Sequence, residues 1–254
     1  MTKRKITLGT TYYNNPKAIK VFINKHLPYV DELIIVDDGS QEYPLINIVH
    51  PTSKIKIFRI KKDYGFNSHG CRNLIMSKTS NEWVVLLDSD RELMDPEYSF
   101  DFIKRSSLKY DHRYTFVAHL INPGQDIHES VNDYLISKQH FFSVGGYDEE
   151  YIGMRYGDRQ FFGQLSRTGK DTNISSINLL LKRASTYDTM LKNNTSDVTA
   201  SPNDIGVRCA VADEIVEKRL INLQPDKKIL TFAWEEVLVD QKEDISISPS
   251  AMSQ

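Results

Sequence analysis

Through its first hundred residues the chain alternates short apolar runs with segments whose apolar positions recur at helical spacing. Residues 6–8, 32–36, 55–60 and 83–87 are compact and rich in Ile, Val and Leu, as strands buried on both faces are. A helix is predicted from Pro16 through Ile19, Val21, Phe22 and Ile23 towards His26, with Pro16 suited to its first turn. A second helix covers residues 70–77. Strand and helix in alternation predict an α/β fold, a parallel sheet with helices on both faces.

Beyond Asp95-Pro96 the pattern loosens into a mixed region. Strands are expected over residues 115–121 and 134–137, and a helix over about 158–167, closed by Gly169. Val207, Ala210, Val211, Ile215 and Leu220 predict a helix within residues 205–221, and Pro225 follows its stop. Residues 229–234 read as a last strand, and the Ser-rich residues 245–254 as a disordered tail.

Composition narrows the classes of function. The chain has 254 residues, 40% of them hydrophobic, enough for one large domain or two intimate ones. With 32 basic against 34 acidic residues and a net charge of -2, nothing overall favours nucleic acid or an anionic membrane as partner. The first nine residues lack the apolar stretch of a signal peptide, and no run of about 18 apolar residues occurs, so the expected location is the cytoplasm. Cys71 and Cys209 lack His or Cys neighbours at ligand spacing, which argues against zinc and against a disulfide framework.

Candidate chemistry gathers at the strand ends. The run Trp83 to Leu87 stops at Asp88-Ser89-Asp90, placing two hard oxygen ligands where a divalent cation can bridge them to a diphosphate. Residues 33–36 likewise end in Asp37-Asp38-Gly39-Ser40, and the first strand in Gly9-Thr10-Thr11-Tyr12-Tyr13-Asn14. Carboxylates crowded on one rim need a cation or a hydrogen-bond donor between them. The segment from Gly65 to Asn73 runs from a glycine-containing loop into a helix and presents Arg72, which can neutralise phosphate or hold a carboxylate. Later come Gly145-Gly146-Tyr147-Asp148-Glu149-Glu150 and then Asp158, which stands where a helix begins and suits an N-terminal acid as well as a functional one.

Taken in order, these segments resemble the family 2 glycosyltransferases over residues 5–168. The resemblance rests on Thr10 to Asn14, Val36-Asp37-Asp38-Gly39-Ser40, Cys71-Arg72-Asn73, Leu87-Asp88-Ser89-Asp90 and Gly145-Gly146-Tyr147-Asp148-Glu149, with Asp158 following. It implies the GT-A fold: a Rossmann-like, mostly parallel sheet with helices on both faces, a mixed acceptor half and here a C-terminal helical extension. The expected division is a GT-A domain over residues 1–204, its nucleotide-binding half about 1–95 and its acceptor half about 96–204, then an extension over 205–244 and a tail over 245–254. By this resemblance Thr10, Tyr12 and Asp38 hold uracil or an equivalent base and Arg72 lies beside the nucleotide. Asp88 and Asp90 hold the ribose and a Mn²⁺ or Mg²⁺ ion, with Asp90 ahead of Asp88 as the direct ligand. Tyr147 and Asp148 meet the acceptor, and Asp158 is the general base. The implied reaction is a metal-dependent, inverting transfer from a nucleotide-diphosphate sugar, UDP first, to a hydroxyl acceptor, a saccharide by default.

The chain departs from the family pattern in two places. Many members carry a Glu-Asp pair where this chain has Gly157-Asp158, so one carboxylate is missing. No histidine occurs after His140 to serve as a late metal ligand, which leaves Asp188 as a substitute or a plain loop acid. Three other functions stay in view: glycosylation of a hydroxylated base in DNA, a non-catalytic nucleotide- or sugar-binding module, and a nucleotidyltransferase. The last would want a glycine-rich basic loop after the first strand, and Thr10 to Asn14 does not supply it. The run Lys54, Lys56, Arg59, Lys61, Lys62, alternating with Ile55, Ile57 and Ile60, reads as the solvated face of an edge strand.

Overall fold

The apolar runs of the first hundred residues form the centre of one sheet. The computed structural model describes residues 3–119, 128–153, 157–167, 174–183 and 227–238. The elements are β1 (Ile6–Tyr12), α1 (Pro16–His26), β2 (Glu32–Asp37), β3 (Ile55–Ile60), α2 (Ser68–Lys78), β4 (Trp83–Leu86), β5 (Arg91–Leu93), α3 (Pro96–Arg105), β6 (Arg113–His119), β7 (His128–Ser137), α4 (Lys138–Phe142), α5 (Gly157–Arg167), β8 (Ile174–Arg183) and β9 (Trp234–Val237). Among the described residues the strands make a nine-stranded sheet in the order β5-β8-β6-β7-β4-β1-β2-β3-β9. The four central strands, β4-β1-β2-β3, are parallel. On one side β7 pairs antiparallel with β4 and β6 with β7, while β8 runs parallel to β6; on the other side β9 closes the edge antiparallel to β3.

Two apolar layers sandwich the parallel centre. On one face Ile6, Leu8, Leu33, Ile35 and Val85 pack with Ile19 and Phe22 of α1 and Phe100 and Ile103 of α3. On the other, Ile34, Val36, Val84 and Leu86 pack with Leu74 and Ile75 of α2, Phe141 of α4, and Phe161 and Leu165 of α5. Alternate residues of each strand thus serve opposite layers, which is why these strands are apolar throughout.

Helix starts follow local capping chemistry. Asn15 caps α1 by accepting from the Ala18 N–H, with Pro16 at the first helical position. Asn67 caps α2 in the same way through the Gly70 N–H, which begins that helix at Ser68, ahead of the expected Gly70. Asp95-Pro96, where the sequence pattern loosens, is the start of α3: the Asp95 carboxylate accepts from the Tyr98 N–H and Pro96 opens the helix.

The last strand forms later than expected, at Trp234–Val237, and the Leu230 and Thr231 N–H groups before it are bonded to a side chain instead of a ladder. Buried Glu149 accepts from the Leu230 N–H, the Thr231 N–H and the Thr231 hydroxyl. The described part of the expected extension therefore joins the main sheet. The helix expected over 205–221, the tail over 245–254 and Asp188 lie outside the described residues. Among the described residues no helix is long and apolar enough to cross a membrane.

Candidate functional site

Parallel register sets the rim. Tyr12 pairs with Asp37 and Gly9 with Leu86, so Thr10 to Asn14, Asp37 to Ser40 and Asp88 to Asp90 leave the sheet at one edge. The two adjacent acids of β2 divide the work. Asp37 accepts from the Ser40 and Leu45 N–H groups, both at 2.8 Å, and so shapes the loop. Asp38 accepts from the Asn67 N–H at 2.8 Å through Oδ2, while its buried Oδ1 makes no conventional hydrogen bond and the Cys71 thiol lies against the carboxylate. Burial pushes the Asp38 carboxyl up to about 7, and Asp63 and Asp37 add to the effect. Gly39 permits this turn: its φ is +77°, and a Cβ there would stand 2.9 Å from the Asp63 Cα.

Arg72 is the centre of the arrangement. Arg72 is 4% exposed. Nη1 donates to Asp158 Oδ1 at 2.6 Å and to the Tyr147 hydroxyl at 3.1 Å, and Nη2 to Asp88 Oδ1 at 2.9 Å and the Asn132 carbonyl at 3.0 Å. Tyr147 also donates to Asp158 Oδ1 at 2.6 Å, and the Tyr134 and Tyr147 hydroxyls meet at 2.9 Å. Burial alone would raise the Asp158 carboxyl, but Arg72, His69 and Tyr147 outweigh it and hold Asp158 well below the usual carboxylate range. Neighbouring Asn73 fixes the turn that carries Tyr147, accepting from the Tyr147 N–H at 2.8 Å and donating to its carbonyl at 3.0 Å.

The Asp88 to Asp90 turn leans on β7. Asp133, fully buried, accepts the Asp88 N–H at 2.8 Å, and Arg91 Nε lies 3.6 Å from Asp133 Oδ2 and 3.9 Å from Asp90 Oδ1. Among the described residues no three His, Cys, Asp or Glu side chains cluster as a metal cage. Two neighbouring carboxylates nevertheless fit a hard cation that takes its remaining oxygens from water and substrate phosphate.

Two family descriptions match consecutive parts of the chain: "Glycosyl transferase family 2" over residues 7–100 and "Glycosyltransferase like family 2" over residues 101–196. The chain belongs to the family 2 glycosyltransferases. A curated relative, the SPbeta prophage-derived glycosyltransferase SunS of Bacillus subtilis (strain 168), is 30% identical over 87 residues, which is 34% of this chain and 20% of that protein. The match thus spans a fifth of that relative's length. Among solved structures, a mycobacterial protein matches with a TM-score of 0.53 at 16% identity, covering 71% of this chain and 67% of its own. The mannosyltransferase PcManGT from Pyrobaculum calidifontis, solved with GDP-Man and Mn²⁺, matches with a TM-score of 0.52 at 13% identity, covering 72% of this chain and 57% of its own. Both likenesses are of fold, and the fold is the GT-A type.

Within this family 2 glycosyltransferase, the expected site residues fall into two groups. Asp38, Arg72, Asp88, Asp90 and Asp158 stand on the rim or round the guanidinium. Thr10 lies on the same strand end, with only a weak 3.4 Å contact to the Thr11 carbonyl. Tyr12 is displaced from its expected role at a base: its ring is buried in the core and its hydroxyl donates to the Tyr43 carbonyl at 2.6 Å. Tyr147 and Asp148 are likewise buried. Tyr147 stacks on Phe161 at 4.3 Å, and Asp148 caps the short helix Glu149–Tyr151 by accepting from the Glu150 N–H, so both support the site instead of lining it.

Sequence reading missed three participants. Asp133 and Tyr134 arrive on β7, whose pairing with β4 has no local signal. His69 is fully buried on the first turn of α2, 3.7 Å from Asp158. The basic run is spent locally: Lys56 pairs with Glu32 at 2.6 Å, Lys61 with Glu235 at 3.1 Å, and Lys62 lies over the Tyr64 ring.

Proposed function

We propose that this protein transfers a sugar from a nucleotide-diphosphate donor, UDP-linked first, to a hydroxyl of a saccharide acceptor, with inversion at the sugar C1. The single observation that carries the reading is Arg72, whose one guanidinium ties Asp88 to Asp158. Asp88 marks the donor side and Asp158 the acceptor side. Asp38, with an acceptor oxygen buried at the rim, suits an imide N–H such as N3–H of uracil. Asp90 and Asp88 would hold a Mn²⁺ or Mg²⁺ ion, which when bound neutralises charge on the departing diphosphate.

The chain's own groups supply the rest. Asp158 stays ionised because Arg72 and Tyr147 favour its charged form, and both bind Oδ1. Oδ2 is left to take the proton of the acceptor hydroxyl as the hydroxyl oxygen bonds to C1, the C1–O bond to the diphosphate breaks and the nucleoside diphosphate leaves. One in-line displacement inverts the anomeric centre. The basic run offers DNA as acceptor less than its sequence suggests, since Lys56 and Lys61 are already paired with carboxylates.

Titration calorimetry with UDP, with and without Mn²⁺, tests this reading. Binding tightened by the metal is the expected result. Equal binding in both conditions, or none, overturns the assignment of the donor site.

A further inference from the structure

The start of α5 is packed against an imidazole. An ideal Cβ at Gly157 would stand 2.7 Å from His69 Nε2, 2.8 Å from Cδ2 and 2.9 Å from Cε1, so the ring occupies the space of the missing side chain. Phe66, Tyr147 and Tyr151 enclose the same ring at centroid distances of 5.7, 5.3 and 6.1 Å. Neither ring nitrogen has a hydrogen-bond partner among the described residues, a costly state for a buried polar group. Nε2 lies 3.7 Å from Asp158 Oδ2, the oxygen that Arg72 and Tyr147 leave uncovered. A shift of under about 1 Å would make that contact a hydrogen bond.

We propose that His69 is a positioning residue for Asp158, holding Oδ2 from the space opened at Gly157 while Arg72 and Tyr147 hold Oδ1. The inference rests on reading Asp158 as the acceptor-side base. It accounts for the glycine where a family 2 pattern would put glutamate: a side chain at 157 would expel the ring, so Gly157 and His69 are a matched pair. The titratable and charged groups facing His69 are Asp158 from α5, Tyr147 and Tyr151 from the preceding turn, and Arg72 one turn further along α2. Held at both oxygens, the carboxylate cannot rotate away from the acceptor.

Two measurements test the pairing. His69→Ala and Gly157→Ala are each expected to lower kcat about tenfold or more at unchanged donor KM. His69→Gln, which keeps an N–H donor, should restore most of the rate, and the double variant His69→Ala with Gly157→Ala should be no worse than His69→Ala. The second measurement records the ring nitrogen resonances of His69 by NMR in the protein without donor. Asp158→Asn is expected to move the Nε2 resonance, because the ring N–H loses its carboxylate acceptor. Unchanged ring resonances in Asp158→Asn overturn the proposal, as does native kcat in a folded His69→Ala. Failure of the unaltered protein to transfer sugar would count against the transfer reading alone, since the spectrum needs no substrate.

Discussion

The guanidinium of Arg72 reaches Asp158, 86 positions further along the chain, at 2.6 Å and turns its other edge to Asp88 at 2.9 Å. Lysine has one nitrogen and cannot span two carboxylates, a carbonyl and a phenol in a plane. Arg72→Lys is therefore expected to cost about 2 kcal/mol of stability, less than the 3–5 of a fully buried broken pair because Asp158 and Asp88 are 18% and 31% exposed. Urea unfolding measures the first effect. Turnover should fall further than stability explains, and a variant of native stability and native rate would remove Arg72 from the centre of the site.

Asp158→Asn keeps shape and loses charge. Donor binding, read by calorimetry, should persist, while transfer drops by about 10²–10⁴, the range typical of a lost general base. Transfer at the native rate would place the base on another residue.

How much of this was legible depended on whether the signal was local. The parallel strands showed as unbroken apolar runs because both faces are covered, and their ends carried Asp38, Asp88 and Asp90 to one rim. Arg72 was marked by its position near a helix start. By contrast, β5 is three residues long and pairs with β8 from a distant part of the chain, so neither left a local pattern. Asp133 sits beside Asp88 only because β7 inserts next to β4. The reading of Asp95-Pro96 as a break overlooked that an acid followed by proline is also how a helix begins.

Asp90→Ala should abolish the metal-dependent part of UDP binding and leave the metal-free part near its native value. Asp88 is held by Arg72 at 2.9 Å, so truncation there would disturb the guanidinium cluster as well as the metal site. Metal-enhanced binding that survives in Asp90→Ala would exclude this carboxylate as a ligand.

Glu149 joins the Tyr147 turn to the C-terminal edge. It accepts from Asn73 Nδ2 at 2.9 Å as well as from Leu230 and Thr231. Glu149→Ala removes the acceptor of the half-buried Leu230 N–H and of Thr231, at about 1–2 kcal/mol for the group. Faster amide exchange at Leu230 and Thr231 than in the native protein is the expected signature, and unchanged protection there would show that β9 alone holds the segment.

His26 predicts how stability changes in acid. Its Nε2 accepts the Leu93 N–H at 3.2 Å, so the proton must sit on Nδ1, which donates to the Phe22 carbonyl at 2.8 Å. Both nitrogens are satisfied only in the neutral ring, and burial brings the pKa down from 6.5 to about 4. The unfolded chain takes up a proton near pH 6.5 and the folded one does not until about 4, so stability falls as pH drops through this window and levels off below it. Between pH 7.5 and 5 the loss from this one group is about 2 kcal/mol. His26→Gln, which can still donate and accept, should flatten that part of the profile in urea unfolding. A slope unchanged by the substitution would assign the acid sensitivity to other groups.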